Sequence, residues 1–184
     1  MRTVSVFCSS SDDVAPVFYS EVEKLAHCLV ENGIQVLYGG AKHGLMGRLA
    51  QVALGKRGRV VGVIPEMFNT EPVRQSGLNQ LHVTKDLFER KKKLIELGDA
   101  YIVFPGGFGT MDEALEVITL KQIGCLQGPI IFYNVFDFWT PLLQSFFLIK
   151  EQGMISQRLS DLYVEVETSQ QAVEYLNCFF SQNK

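Results

Sequence analysis

The sequence predicts an α/β fold: a single doubly wound, Rossmann-like domain over residues 1–184, with a mostly parallel sheet of about seven strands and helices on both faces. Three observations predict it. Short β-rich runs alternate with segments of helical periodicity, the signature of βαβ units. The strand runs are almost continuously apolar, as a sheet covered on both faces requires. Two glycine-rich stretches, "GGAKHGLMG" and "PGGFGT", join the end of a strand to the start of a helix.

The elements follow in order. "TVSVFC" (3–8) is a strand that runs into the polar turn "SSSDD". In 17–33, Val17, Val22, Leu25, Ala26 and Leu29 share a helical stripe that Gly33 ends. "IQVLYGG" (34–40) is the second strand, 44–58 a helix, and "RVVGVIP" the third strand. Residues 66–79 have no periodicity and form the best candidate for a functional loop. "QLHVTK", a helix over 86–98, "DAYIVFPGG", a helix over 109–124 and "GPIIFYN" come next. One long aromatic helix is expected over 135–153, a last strand over 161–167 and a closing helix over 169–180.

With 184 residues the chain is long enough for a full core, and a net charge of −3 gives no footprint for nucleic acid or an anionic membrane. No apolar run approaches the roughly 20 residues of a membrane span. Cys8, Cys28, Cys125 and Cys178 are scattered, without C-x-x-C or zinc spacing. Three of the four fall in apolar patterns and are expected to be buried free thiols, which suits a cytoplasmic setting; no metal site is expected.

In a doubly wound sheet, ligands lie beyond the carboxyl ends of the strands, where strand order reverses. The loops after strands one, two and five therefore carry the interest: Ser9-Ser10-Ser11, the "GGAKHGLMG" stretch and "PGGFGT". Glycine lets amides approach an anion, and a helix N-terminus adds about half a positive charge, so a phosphate-bearing ligand is the natural inference. Neither G-x-G-x-x-G nor G-x-x-x-x-G-K-[ST] occurs, which disfavours NAD and P-loop readings.

Acids follow the second glycine loop directly. Thr110-Met111-Asp112-Glu113 has the spacing of a capping box, in which Thr110 and Glu113 satisfy each other's backbone amides. Glu116 lies three residues on, on the face of Glu113. A phosphate on this loop would repel these carboxylates unless a cation intervened. In the third helix, Leu87, Leu94 and Gly98, flanked by Phe88 and Ile95, define an apolar stripe whose missing turn is filled by Arg90 and Lys91. A guanidinium there either snorkels to solvent or needs a partner, which Glu113, a phosphate or both would supply.

"PGGFGTMDE" (105–113) resembles the P-G-G-x-G-T-x-x-E signature of the Lonely Guy (LOG) family, cytokinin riboside 5′-monophosphate phosphoribohydrolases, long mislabelled lysine decarboxylases. "VFCSSS", "YGGAKHGLMG", "VVGVIP", "ERK" and "EVITLKQIG" agree in order, from about residue 3 to about residue 150. The resemblance implies a nucleotide-binding α/β domain without cofactor that splits N6-modified AMP into base and ribose 5-phosphate. It implies Arg90 and Glu113 as the catalytic pair. Substrate contacts are expected at Ser9, Gly40, Met46, Lys91, Pro105, Gly106, Gly107, Gly109, Thr110 and Glu116. The chain departs from the pattern at Ser9 (family Gly), at Ala41 (the third glycine of G-G-G), and at Leu87-Phe88 (family Met-His).

Cleaving an N-glycosidic bond builds positive charge at C1′, which a carboxylate stabilises while it orients or deprotonates water. Glu113 takes that part, aimed by Arg90. Two alternatives remain: an AMP nucleosidase preferring plain adenine, and a carrier that binds a nucleotide or cofactor without cutting it. His43 could touch the nucleotide but reads better as an exposed loop residue, and His27 and His82 read as surface or core fillers. Cys8 is expected to border the site without reacting. The aromatics Phe132, Phe136, Phe138, Trp139, Phe146 and Phe147 read mostly as core, with an excess that suggests an interface; the resemblance implies a homodimer with the site nearby.

Overall fold

The alternation is realised as seven strands and seven α-helices in a computed structural model that describes residues 1–182. The order is β1 (Thr3–Phe7), α1 (Pro16–Glu31), β2 (Gln35–Tyr38), α2 (Gly44–Gly55), β3 (Val60–Pro65) and β4 (Gln80–Thr84). It continues with α3 (Leu87–Leu97), β5 (Ala100–Val103), α4 (Phe108–Gln122), β6 (Ile130–Tyr133), α5 (Thr140–Glu151), α6 (Leu159–Leu162), β7 (Val164–Val166) and α7 (Ser169–Gln182). All pairings are parallel, in the order β4-β3-β2-β1-β5-β6-β7. The order reverses between β1 and β5, where Val4 pairs Ala100 and Phe7 pairs Val103.

Alternate strand residues feed two cores, which is why the strands read as continuous apolar runs. Val4, Val6, Val36, Tyr38 and Ile102 pack under α1, α2 and α7; Phe7, Leu37, Val63, Tyr101 and Val103 pack with residues of α3, α4 and α5. The α1 stripe holds at Val22, Leu25, Ala26 and Leu29, while Val17 at its start is exposed. Gly33 ends the turn at φ 65°, a left-handed conformation that glycine adopts without cost.

Several sequence expectations are corrected. The aromatic stretch 135–153 is not one helix: a 3₁₀ turn spans Val135–Asp137, with Phe136 at φ 54° and Asp137 at φ 57°, before α5. Asn134 imposes the break, because its Oδ1 accepts the Trp139 amide at 2.6 Å and its Nδ2 donates to Thr140 Oγ1 at 2.9 Å. Phe132, Trp139 and Phe146 are core, whereas Phe136, Phe138 and Phe147 are exposed. Strand 161–167 shrinks to β7, preceded by the single turn α6. Of the cysteines only Cys8 is buried; Cys28 is half-buried, and Cys125 and Cys178 are exposed.

Candidate active site

Three loops converge over the β1/β5 switch. The Ser9 amide donates to the Pro105 carbonyl at 3.1 Å, and the Met46 amide donates to the Ser9 carbonyl at 3.0 Å. One short segment after β1 thus ties the glycine loop after β5 to the first turn of α2. Beside them lies a cavity of about 540 Å³. Ser9, Met46, Gly107, Gly109 and Thr110 line one part of it, Arg90 and Glu113 another, and Ile64, Phe68, Val73 and Leu87 an apolar wall.

The Arg90–Glu113 pair is built by two helix starts. Asp86 caps α3: its Oδ1 accepts the Glu89 amide at 2.8 Å, and Glu89 Oε2 accepts the Lys85 amide at 2.8 Å. This reciprocal cap sets where the helix begins and so where Arg90 emerges. Arg90 donates from Nη1 to Glu113 Oε1 at 2.8 Å and from Nε to the Val63 carbonyl at 3.2 Å. The side chains are 13% and 4% exposed, so the pair is nearly dry. Room for the guanidinium comes from Gly39, where a Cβ would lie 2.1 Å from Arg90 Nη2. Burial pushes the Glu113 carboxyl above its ordinary value, and the adjacent Arg90 charge pulls it back.

The capping box expected at Thr110 does not form. Helix α4 starts earlier, with Gly107 as N-cap, so Thr110 lies inside the first turn, 3% exposed, and Glu113 is freed to meet Arg90. Gly106 packs on Thr110, where a Cβ would lie 2.1 Å from Oγ1. At Gly107 and Gly109 a Cβ would meet nothing within 4 Å, and both positions face the cavity. The first amides of α4 have no intrahelical partner, which leaves donors at this wall.

The remaining expected contacts stand outside the cavity wall. Gly40 is a turn residue at φ 78° whose carbonyl accepts the Gln75 amide. Pro105, Gly106 and Glu116 do not line the cavity. Lys91 turns to the neighbouring helix, 2.9 Å from Asp112 Oδ1 and 3.1 Å from Glu116 Oε2. Leu87 is not part of a buried stripe: it is exposed at the cavity edge, and Phe88 is exposed beside it. Cys8 borders the cavity with its thiol pushed up by burial, the opposite of activation.

Sequence reasoning missed two contributors. Gly39 had a signal, as a glycine at a strand end facing a basic residue. His43 was undervalued: it lines the cavity, and each of its ring nitrogens has an oxygen partner at 2.8 Å.

A buried carboxylate held by a guanidinium, next to amide donors and an apolar wall, can stabilise a cation formed on a ligand whose anionic end rests on the amides. A family profile described as "Possible lysine decarboxylase" matches residues 46–176. The cytokinin riboside 5′-monophosphate phosphoribohydrolase of Rhodococcoides fascians is 39% identical over 143 residues, 77% of this chain and 72% of that protein. One from Arabidopsis thaliana is 31% identical over 175 residues, 95% of this chain and 82% of that one. Among solved structures, the molybdenum cofactor carrier protein of Chlamydomonas reinhardtii shares the fold with a TM-score of 0.75 at 17% identity, covering 98% of both chains. With relatives this similar over most of its length, the chain belongs to the Lonely Guy family, the group once described as possible lysine decarboxylases.

Proposed function

We propose that this protein hydrolyses the N-glycosidic bond of adenosine 5′-monophosphates that carry an apolar N6 substituent, releasing the free base and ribose 5-phosphate. The observation that carries the reading is the buried Arg90–Glu113 pair set beside the glycine wall of α4. The 5′-phosphate rests on the amides of Gly107, Gly109 and Thr110, with Ser9 beside it, at the positive end of a 15-residue helix. The ribose then lies against Glu113. As the C1′–N9 bond breaks, its electron pair leaves with the base, and the carboxylate faces the positive charge left at C1′. A water oxygen bonds to C1′ and Glu113 takes the water's proton; the departing base takes a proton from solvent, and Glu113 returns its own to solvent. Arg90 aims Glu113 and favours its ionised form against the burial that raises its pKa.

The wall of Ile64, Phe68, Val73 and Leu87 supports an apolar substituent on the base. No lysine among the described residues lines the cavity, and Lys91 is engaged by two acids, so the described residues offer no amine there for Schiff-base chemistry. Leu115 and Ile123 of α4 and Phe147 and Leu148 of α5 are exposed, which supports a homodimer that covers them. Free, exposed Cys125 and Cys178 fit the cytoplasm. No helix among the described residues is long and apolar enough to cross a membrane.

The test is incubation with N6-benzyl-AMP and with AMP, reading ribose 5-phosphate. Faster release from the first supports the proposal; faster release from AMP makes the protein an AMP nucleosidase. No release from either, with AMP binding unchanged in Glu113→Gln, makes it a carrier.

A further inference from the structure

His43 stands where three loops meet. Its Nδ1 is 2.8 Å from Asp12 Oδ2, in the loop after β1, and its Nε2 is 2.8 Å from the Pro72 carbonyl, in the 66–79 loop. Asp12 is fixed by its other oxygen, which accepts the Gly44 amide at 2.8 Å. The 66–79 loop supplies Phe68 and Val73 to the cavity, and His43 lines it as well. Other ties fasten this loop to the segment before α2: the Lys42 amide donates to the Val73 carbonyl at 2.8 Å, Lys42 Nζ to the Glu71 carbonyl at 3.1 Å, and the Gln75 amide to the Gly40 carbonyl at 3.0 Å. Of all these ties, only those through His43 join the 66–79 loop to the loop after β1 across the cavity edge.

Both ring nitrogens face oxygens that only accept. A neutral imidazole has one N–H, so it satisfies one of them and turns a lone pair toward the other at 2.8 Å. The imidazolium satisfies both.

We propose that His43, in its doubly protonated form, straps the 66–79 loop to Asp12 and thereby holds the apolar wall of the cavity in place, so that KM for the nucleotide rises when the ring loses a proton. His43 is a positioning residue, and the proposal rests on the reading of the cavity as the nucleotide site. The groups facing the ring agree in sign. The Pro72 carbonyl and Asp12 raise its pKa, against an opposing contribution from burial and from Lys42 on its own loop. Asp12 is held below the usual carboxylate range by the Gly44 amide and by His43, so it stays ionised through the same interval. A group whose folded pKa is raised keeps its contribution at low pH and loses it as pH climbs through the raised value. The strap is therefore complete below the ordinary imidazole range and opens on the alkaline side.

Two measurements test this. In the nucleotide-free protein, the His43 ring resonances, assigned with His43→Gln, are followed by NMR from pH 5 to 9. The expected midpoint lies above that of a free imidazole; a midpoint at or below it overturns the strap whatever the enzyme does. The second is KM for N6-benzyl-AMP across the same interval. Wild type should show a rise of roughly threefold, the loss of one charge-assisted hydrogen bond at a half-exposed site. In His43→Gln, the alkaline rise in KM should be absent.

Asp12→Asn is the sharper variant, and it guards against a fold defect at position 43. The amide oxygen still accepts from Gly44, while the amide NH₂ donates to Nδ1 of a neutral ring whose Nε2–H serves Pro72. Protonation now breaks a tie, so the rise in KM should move to the acid side. An unchanged alkaline rise in Asp12→Asn, or in His43→Gln, refutes the proposal. Absence of any glycosidase activity refutes the function instead, and leaves the NMR result to judge the strap alone.

Discussion

Replacing Arg90 by Met tests the central pair most directly. The methionine keeps much of the side-chain bulk but leaves the Glu113 carboxylate 4% exposed and without its cation. A buried charge that loses its partner can escape by taking up a proton, and this caps the penalty. The ordinary value of 4.5 is two and a half units below neutral pH. At about 1.4 kcal/mol per unit, the ceiling is ~3.4 kcal/mol at pH 7. For a chain of this size that is a fall in Tm of roughly 7–14 °C. With Arg90 gone, the folded pKa of Glu113 lies far above the unfolded one, so the deficit vanishes as pH falls toward 4.5 and grows as pH rises from there. The assay is thermal melting of Arg90→Met and wild type at pH 5, 6 and 7. The gap should shrink on acidification, by at most about 1.4 kcal/mol per unit, until the wild-type carboxyl, itself raised by burial, takes up its own proton. Glu113→Leu, which strands the guanidinium instead, should show no such trend, and the double variant Arg90→Met/Glu113→Leu should recover most of the loss while staying inactive. A deficit independent of pH, or a double variant as unstable as the two singles combined, refutes the idea that a dry, mutually dependent pair organises the site.

Gly39→Ala places a methyl group 2.1 Å from Arg90 Nη2 and should lower kcat by about tenfold or more by displacing the guanidinium; steady-state kinetics check it. Lys91→Met removes a cation from two exposed acids, at 65% and 43%, and should cost less than about 1 kcal/mol in urea melts, with KM within about twofold of wild type because Lys91 lies outside the cavity wall. Arg57, at φ 59° just beyond α2, should give way to glycine with a gain of about 1 kcal/mol in the same melts.

Much of this was legible in the chain because the relevant rules are local. The strands announced themselves as β-rich apolar runs, and Arg90 announced itself as a charge in an apolar stripe. The glycine loop pointed to Gly107, Gly109 and Glu113 together. What escaped were choices made at a distance. The capping-box spacing at Thr110 hides that α4 begins at Phe108 and that Glu113 pairs instead with Arg90, 23 residues away in sequence. The break at Phe136 and Asp137 is imposed by Asn134, through bonds to Trp139 and Thr140 that an unbroken aromatic run conceals. His43 looked like an ordinary loop histidine, since its partners Asp12 and Pro72 lie 31 and 29 residues away.

The glycine wall separates two properties that enzymes usually entangle. On the proposed reading, grip at Gly107 and Gly109 would come from main chain, whereas scission would depend on the Glu113 carboxylate and the guanidinium that aims it. On that reading, one exchange at position 113 should turn a cutter into a holder without rebuilding the cradle.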